Sequence, residues 1–212
     1  MNIYLKFKTS VLSFFINFFN ADNYHNASKF FTIYKIWNNI KLDDIEGDYI
    51  EFGIFKGKSL LHSIKTYKQF FNSNDKITFY GLDSFDGFPS DNHNFYNSNN
   101  FSTSYAKVTK TFAKYRNVKI IKGFFSDVLK NEEFHKNVYS FVFIDCDIYE
   151  SSLDVFKHID KKIVKGGFLM IDDFTSIDKN GNSIYKAFNE TLNQDEYVYF
   201  TSYSNGRVFR RI

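Results

Sequence analysis

The sequence predicts an α/β fold, a mostly parallel sheet covered by helices on both faces. Three observations carry that expectation. From about residue 49 onward, short apolar runs alternate with segments of helical period, the pattern of successive β-α-β units. The chain closes on two strand-like runs around Asn205-Gly206, a hairpin signal that places an antiparallel strand at the end of the sheet. At 212 residues and 43% hydrophobic, the chain is long and apolar enough for one domain with a real core.

The elements follow in order. MNIYLKFKTSVLSFFINFFN (1–20) spaces Leu5, Leu12, Phe15 and Phe19 as one face of a helix. Two lysines before its apolar run resemble a weak secretory leader, but Asn17 interrupts the run, which is too short to span a bilayer. It is expected to pack on the domain or on a second copy of the chain, with a membrane surface as the alternative resting place. A second helix is expected over 26–41. Strands are expected at 49–54, 76–83, 118–125, 139–146 and 167–174, and helices at 58–71, 104–115, 127–134, 151–163 and 183–192. The runs 197–203 and 207–212 form the hairpin. Residues 84–104 are polar and aperiodic, and a loop of that length is expected to be a lid.

The charge balance, 27 basic against 24 acidic residues, argues against nucleic acid as a partner. A single cysteine, Cys146, excludes an internal disulfide and a multi-cysteine metal site, and is read as a small buried hydrophobe. A cytoplasmic location is expected.

Chemistry concentrates at the carboxyl ends of the strands, where open α/β sheets bind their ligands. EFGIFKGKS brings Glu51, Gly53, Gly57 and Ser59 to the first strand end, without the spacing of a dinucleotide fingerprint. The second strand ends on Asp83, placed to accept the hydroxyls of a ribose. The third ends in GFFSD, an aromatic followed by polar groups. FVFIDCD and GFLMIDD end on Asp145 and Asp147 and on Asp172 and Asp173. So many acids at one edge repel one another, and three carboxylates suit a hard cation such as Mg²⁺. The plainer alternative is that they are solvated acids capping the following helices.

In combination GDYIEFGIFKGKS (47–59), LDSFDGFP (82–89), GFFSD (123–127), DCDIYESS (145–152) and GGFLMIDDF (166–174) resemble the macrocin O-methyltransferase family. The resemblance implies a class I methyltransferase Rossmann-like sheet of seven strands with the last antiparallel, S-adenosylmethionine as methyl donor, and a sugar or glycoside hydroxyl as acceptor. The likeness runs from about Gly47 to Phe174, and with the helices read before it the chain is expected to divide into a helical extension over 1–45, where a homo-oligomer contact is expected, and a methyltransferase domain over 46–212. The resemblance further implies that Glu51, Gly53, Gly57 and Ser59 form the turn under the methionine portion and that Asp83 and Ser84 hold the ribose. Gly123, Phe124, Ser126 and Asp127 would frame the adenine. Asp145, Asp172 and Asp173 would bind Mg²⁺ or another divalent cation, with Asp147 in support. Two departures stand out. Lys165 replaces the usual proline before the paired glycines, and the terminal hairpin lacks the histidine that serves relatives as base. Asp145 is then the expected catalytic carboxylate should no metal be used, and His93 in the long loop is the remaining histidine candidate. His25, His62, His135 and His158 are set aside as helical or linker residues. A catechol or phenol O-methyltransferase, a non-catalytic nucleotide-binding interaction module and a nicotinamide dehydrogenase are the competing readings.

Overall fold

The computed structural model describes residue 13, residues 21–71, 76–90 and 101–212. The segment expected as the first amphipathic helix lies outside the described residues apart from Ser13, as does His93 with the middle of the long loop, 91–100. The described elements are α1 (Ala21–Leu42), β1 (Asp48–Phe52), α2 (Lys58–Phe71), β2 (Phe79–Asp83), α3 (Tyr105–Phe112) and β3 (Val118–Lys122). They continue with α4 (Phe125–Val128), β4 (Tyr139–Ile144), α5 (Tyr149–Ile159), β5 (Ile163–Ile171), α6 (Ile184–Thr191), β6 (Tyr197–Tyr203) and β7 (Gly206–Arg211). The seven strands form one sheet in the order β3-β2-β1-β4-β5-β7-β6. All pairings from β3 to β5 are parallel, and β7 pairs antiparallel with both β5 and β6. This is the seven-stranded class I arrangement that the sequence led us to expect.

Period-two alternation sorts the strand residues between two cores. Ile50, Phe52, Val142, Ile144, Leu169 and Ile171 face α5 and α6, whose Val155, Phe156, Ile159, Ala187 and Phe188 cover them. Tyr49, Phe79, Phe141, Phe143, Phe168 and Met170 face the opposite way, under α1, α2 and α3. On that side α1 lays down a buried stripe of Ile33, Ile36, Trp37 and Ile40 at helical spacing. Trp37 is fully enclosed, donates its indole N–H to Ser63 Oγ at 2.8 Å, and sits edge-on to Tyr67, Phe71 and Phe141. The helix is thereby part of the core that backs the sheet. Among the described residues, no helix is long and apolar enough to cross a membrane.

Three boundaries differ from expectation. Helix α1 already includes Ala21, a turn before the start that the apolar pattern suggested. Strand β5 begins at Ile163, four residues before the strand expected over 167–174, and runs through both Gly166 and Gly167. Gly166 has φ +82°, and the β4–β5 register shifts between Tyr139 and Phe141. The helix expected over 127–134 is a single turn, α4, followed by a 3-10 turn at Glu132–Phe134.

Glu51 occupies the α1–α2 side of β1 and is fully buried. Tyr49 donates its hydroxyl to Glu51 Oε2 at 2.6 Å, and Ser59 donates to Oε1. Burial raises this carboxyl to about 7 from an ordinary 4.5, against the opposing pull of Ser59, Tyr49 and Lys29.

Two predictions follow from this packing. Trp37→Ala should destabilise the fold by about 3–5 kcal/mol, the usual cost of emptying a large aromatic site. Urea unfolding checks it, and a loss below about 1 kcal/mol would make α1 a peripheral helix. For Glu51, the folded chain holds its proton more tightly than the unfolded chain. Stability should therefore fall as pH rises from 4.5 through about 7. Glu51→Gln should flatten that decline in denaturant titrations run across the window, and an unchanged slope would assign the proton elsewhere.

Candidate active site

The carboxyl ends of β1, β2, β3, β4 and β5 open into one cavity of about 760 Å³. The floor is set by register. Parallel pairing of Ile144 with Ile171 brings Asp145, the residue after β4, beside Asp172, the residue after β5. The backbone N–H of Asp172 donates to the carbonyl of Ile144, and that of Asp145 to the carbonyl of Phe52, both at 2.8 Å. Asp145 keeps 17% of its side chain exposed, whereas Asp172 keeps only 1%.

Between these two carboxylates lies the ammonium of Lys29, delivered by α1. It is 2.9 Å from Asp145 Oδ2 and also pairs with Asp172 Oδ2. One helical turn earlier, His25 Nε2 lies 3.1 Å from the same Asp172 oxygen. Burial alone would strip Lys29 of its proton, but the charges of Asp145 and Asp172 outweigh it, and the ammonium titrates above its ordinary range. Asp172 shows the converse. Burial opposes its charge, yet Lys29 and His25 hold it well below the usual carboxylate range. Asp145 titrates well above that range, because desolvation and the neighbouring Asp172 together overcome Lys29. The pair is thus divided into a fixed anion, Asp172, and a cavity-facing carboxylate with raised proton affinity, Asp145.

The two other acids frame this pair. Asp147 and Asp173 both line the cavity, and both adopt positive φ, 63° and 44°. Burial and repulsion from Asp145, Asp173 and Asp172 raise Asp147 well above its usual value. Asp173 Oδ1 accepts from Asn205 Nδ2 at 3.3 Å, across from the terminal hairpin. Tyr203, also in that hairpin, buries its hydroxyl beside Asp172, and burial followed by that negative charge pushes the phenol well up. Among the described residues, neither the Tyr203 hydroxyl nor Asp172 Oδ1 has a hydrogen-bond partner of good geometry. Cys146 faces the interior, its Sγ 3.4 Å from Ser152 Oγ, and burial raises its thiol far above its ordinary value.

The far side of the cavity is lined by Asp83, Ser84 and the turn over 123–126. Asp83 accepts the backbone N–H of Phe55 on Oδ2 at 2.7 Å and that of Phe85 on Oδ1 at 2.6 Å. A carboxylate offers about four lone-pair sites, so each oxygen can still take a ligand hydroxyl. Gly53 has φ +88°, and a Cβ there would overlap the carbonyl oxygen of Asp145. The chain can pass this close to β4 only as glycine. Gly57 has φ +74° and packs against the Phe112 ring. Gly53, Ser59, Asp83, Ser84, Gly123, Phe124 and Ser126 all line the cavity. The ends of the long loop close over it, with the Phe101 ring 5.4 Å from Phe88 and 6.0 Å from Phe55.

Some expected residues lie elsewhere. Glu51 does not reach the cavity but braces the β1–α2 turn from below through Ser59. Asp127 points outward from α4, 73% exposed and 3.5 Å from Lys130, so it does not frame the cavity. His25, set aside on sequence, belongs to the site, because α1 carries it over the strand ends. Lys29 was not singled out at all. Its signal was a lysine in register with the buried stripe of α1, four residues before Ile33.

A divalent ion does not fit the described residues as they stand. The facing oxygens of Asp145 and Asp172 are taken by Lys29, and among the described residues no three His, Cys, Asp or Glu side chains are grouped to hold a metal.

Comparison with known proteins agrees with this geometry. A sequence of 28% identity is mycinamicin III 3''-O-methyltransferase of Micromonospora griseorubida, matched over 148 residues, 62% of this chain and 57% of that one. The chain therefore spans little more than half the length of this relative. Among solved structures, the O-methyltransferase NovP superposes with a TM-score of 0.71 at 19% identity, covering 87% of this chain and 79% of NovP. The calicheamicin methyltransferase CalS11 gives 0.73 at 16% identity, covering 96% and 85%. At these identities the structural likeness establishes the fold. The family itself is established by a sequence profile that spans residues 27–198, and the chain belongs to the macrocin-O-methyltransferase (TylF) family.

Proposed function

We propose that this protein transfers a methyl group from S-adenosylmethionine to a hydroxyl of a sugar or glycoside. The observation that carries the reading is one cavity with a polar and aromatic end at Asp83 and Phe124 and a carboxylate, Asp145, partly exposed at its floor. Membership of the family and the mycinamicin relative support a sugar acceptor.

S-adenosylmethionine supplies an electrophilic methyl on a sulfonium, whose departure leaves a neutral thioether and needs no acid. The protein then has two tasks. It must hold the acceptor oxygen in line with that methyl, where favourable placement can contribute roughly 7–11 kcal/mol. It must also take the hydroxyl proton as the new O–CH₃ bond forms and the S–CH₃ bond breaks. Asp145, in its ionised form, takes that proton, since it faces the cavity, has a raised proton affinity and lies beside the better-shielded anion Asp172. Asp83 accepts the ribose hydroxyls, and Gly53 allows the methionine portion to lie against the backbone at the β1–α2 turn. Lys29 fills the space between Asp145 and Asp172, so the step is written through protein groups and invokes no metal.

The direct experiment is transfer of labelled methyl from S-adenosylmethionine to a panel of nucleotide sugars, free glycosides and catechols. Label in a sugar supports the reading, and label confined to catechols would overturn the acceptor class. Asp83→Ala should weaken S-adenosylmethionine by about 1.5–3 kcal/mol in calorimetry, because a charge-assisted hydrogen bond is lost. Unchanged affinity in a folded variant would remove Asp83 from the site. Asp145→Asn should lower turnover by about 10²–10⁴-fold, the usual contribution of a general base, while cofactor affinity stays within about twofold. A variant of near-normal turnover would exclude Asp145 as the base.

A further inference from the structure

We infer that Lys29 is the resident cation of the acidic cluster and takes the place that a divalent metal would otherwise hold. The inference rests on the geometry of four side chains, and its catalytic consequence rests on the methyltransfer reading above. Asp145 and Asp172 turn their Oδ2 atoms toward one another, and Lys29 Nζ touches both. A magnesium ion between them would need oxygens at 2.0–2.1 Å in near-octahedral array. It would need the same two oxygens and would meet a positive charge already seated there. The ammonium is not a solvated side chain that has strayed in. Lys29 is 8% exposed, its Nζ lies 5.6 Å from the centre of the Phe143 ring, and the helix that carries it is anchored by Trp37 two turns on. The third acid expected to complete a metal site, Asp173, has one oxygen engaged by Asn205 instead.

Lys29 acts through Asp145 and is a positioning residue. It fixes which Asp145 oxygen is engaged and leaves Oδ1 for the acceptor hydroxyl. It also offsets one negative charge of a cluster that contains Asp145, Asp147, Asp172 and Asp173. Bound this way, the cluster should have little affinity for divalent ions, and removing the ammonium should create a metal site from the acids left behind.

Manganese is the probe. Mn²⁺ is titrated into the full chain and into Lys29→Met, a near-isosteric uncharged variant, with free Mn²⁺ read by electron paramagnetic resonance. Methyl transfer is followed in parallel with EDTA or Mg²⁺. The intact chain should bind Mn²⁺ at least tenfold more weakly than Lys29→Met, and the gained site should vanish in Lys29→Met combined with Asp172→Asn. Turnover of the intact chain should be indifferent to EDTA, and that of Lys29→Met should be low and partly restored by Mg²⁺. Stoichiometric Mn²⁺ binding by the intact chain that is lost in Asp145→Asn would overturn the proposal. The titration reads the metal question without any acceptor, so a failure to find a methylated product touches only the functional reading. If Lys29→Met does not fold, the intact chain and Asp145→Asn decide alone: tight, Asp145-dependent Mn²⁺ binding overturns the inference and its absence upholds it.

Discussion

The site is organised around one buried ammonium shared by two carboxylates. Charged groups are expensive to bury, and they persist inside a protein only when paired and hydrogen-bonded. Lys29, Asp145 and Asp172 meet that condition jointly, since each acid shares the lysine and Asp172 also receives His25. Breaking such a pair from one side typically costs about 3–5 kcal/mol, because an unmatched charge is left behind. Helix α1 is therefore tied to the strand ends electrostatically at one point and to the sheet by Trp37 at another. Its N-terminal half becomes a wall of the cavity, through Asn26, Lys29 and Phe30.

Much of the fold could be read from the chain. The alternation of apolar runs and helical periods located every strand of the sheet, and Asn205-Gly206 marked its antiparallel end. The convergence of Gly53, Asp83, Phe124 and Asp145 was also legible, because parallel sheets gather their strand ends at one edge. Other features were not. Whether two acids at neighbouring strand ends face a metal or an ammonium depends on a side chain far away in sequence, and periodicity carries no sign of that pairing. Lys29 reads locally as one more helix lysine. It becomes conspicuous only once the stripe of Ile33, Ile36 and Ile40 is seen to continue back through it. Asp127 failed for a different reason. A helix of one turn after a strand sends successive side chains in quite different directions, so Phe124 and Ser126 reach the cavity while Asp127 turns to Lys130.

A monovalent ammonium also sets a different condition on the acceptor from a metal ion. A divalent ion can chelate two adjacent oxygens and so favours neighbouring diols. An ammonium held by two carboxylates has no such pair of sites to offer. In the proposed reaction, recognition then falls to hydrogen bonds and to the rings that line the cavity, Phe88 and Phe101, and the stereochemistry of a neighbouring hydroxyl matters less.

Gly53 has a consequence of another kind. Its backbone presses on the carbonyl of Asp145, with no room for even one carbon between them. The turn after β1 and the peptide of Asp145 are in steric contact and cannot move independently. Any shift of the first strand's end, by even a few tenths of an ångström, is handed on to Asp145. In the proposed methyl transfer, cofactor seating and proton removal are thus geared together through main chain, and side-chain changes alone cannot retune one of them.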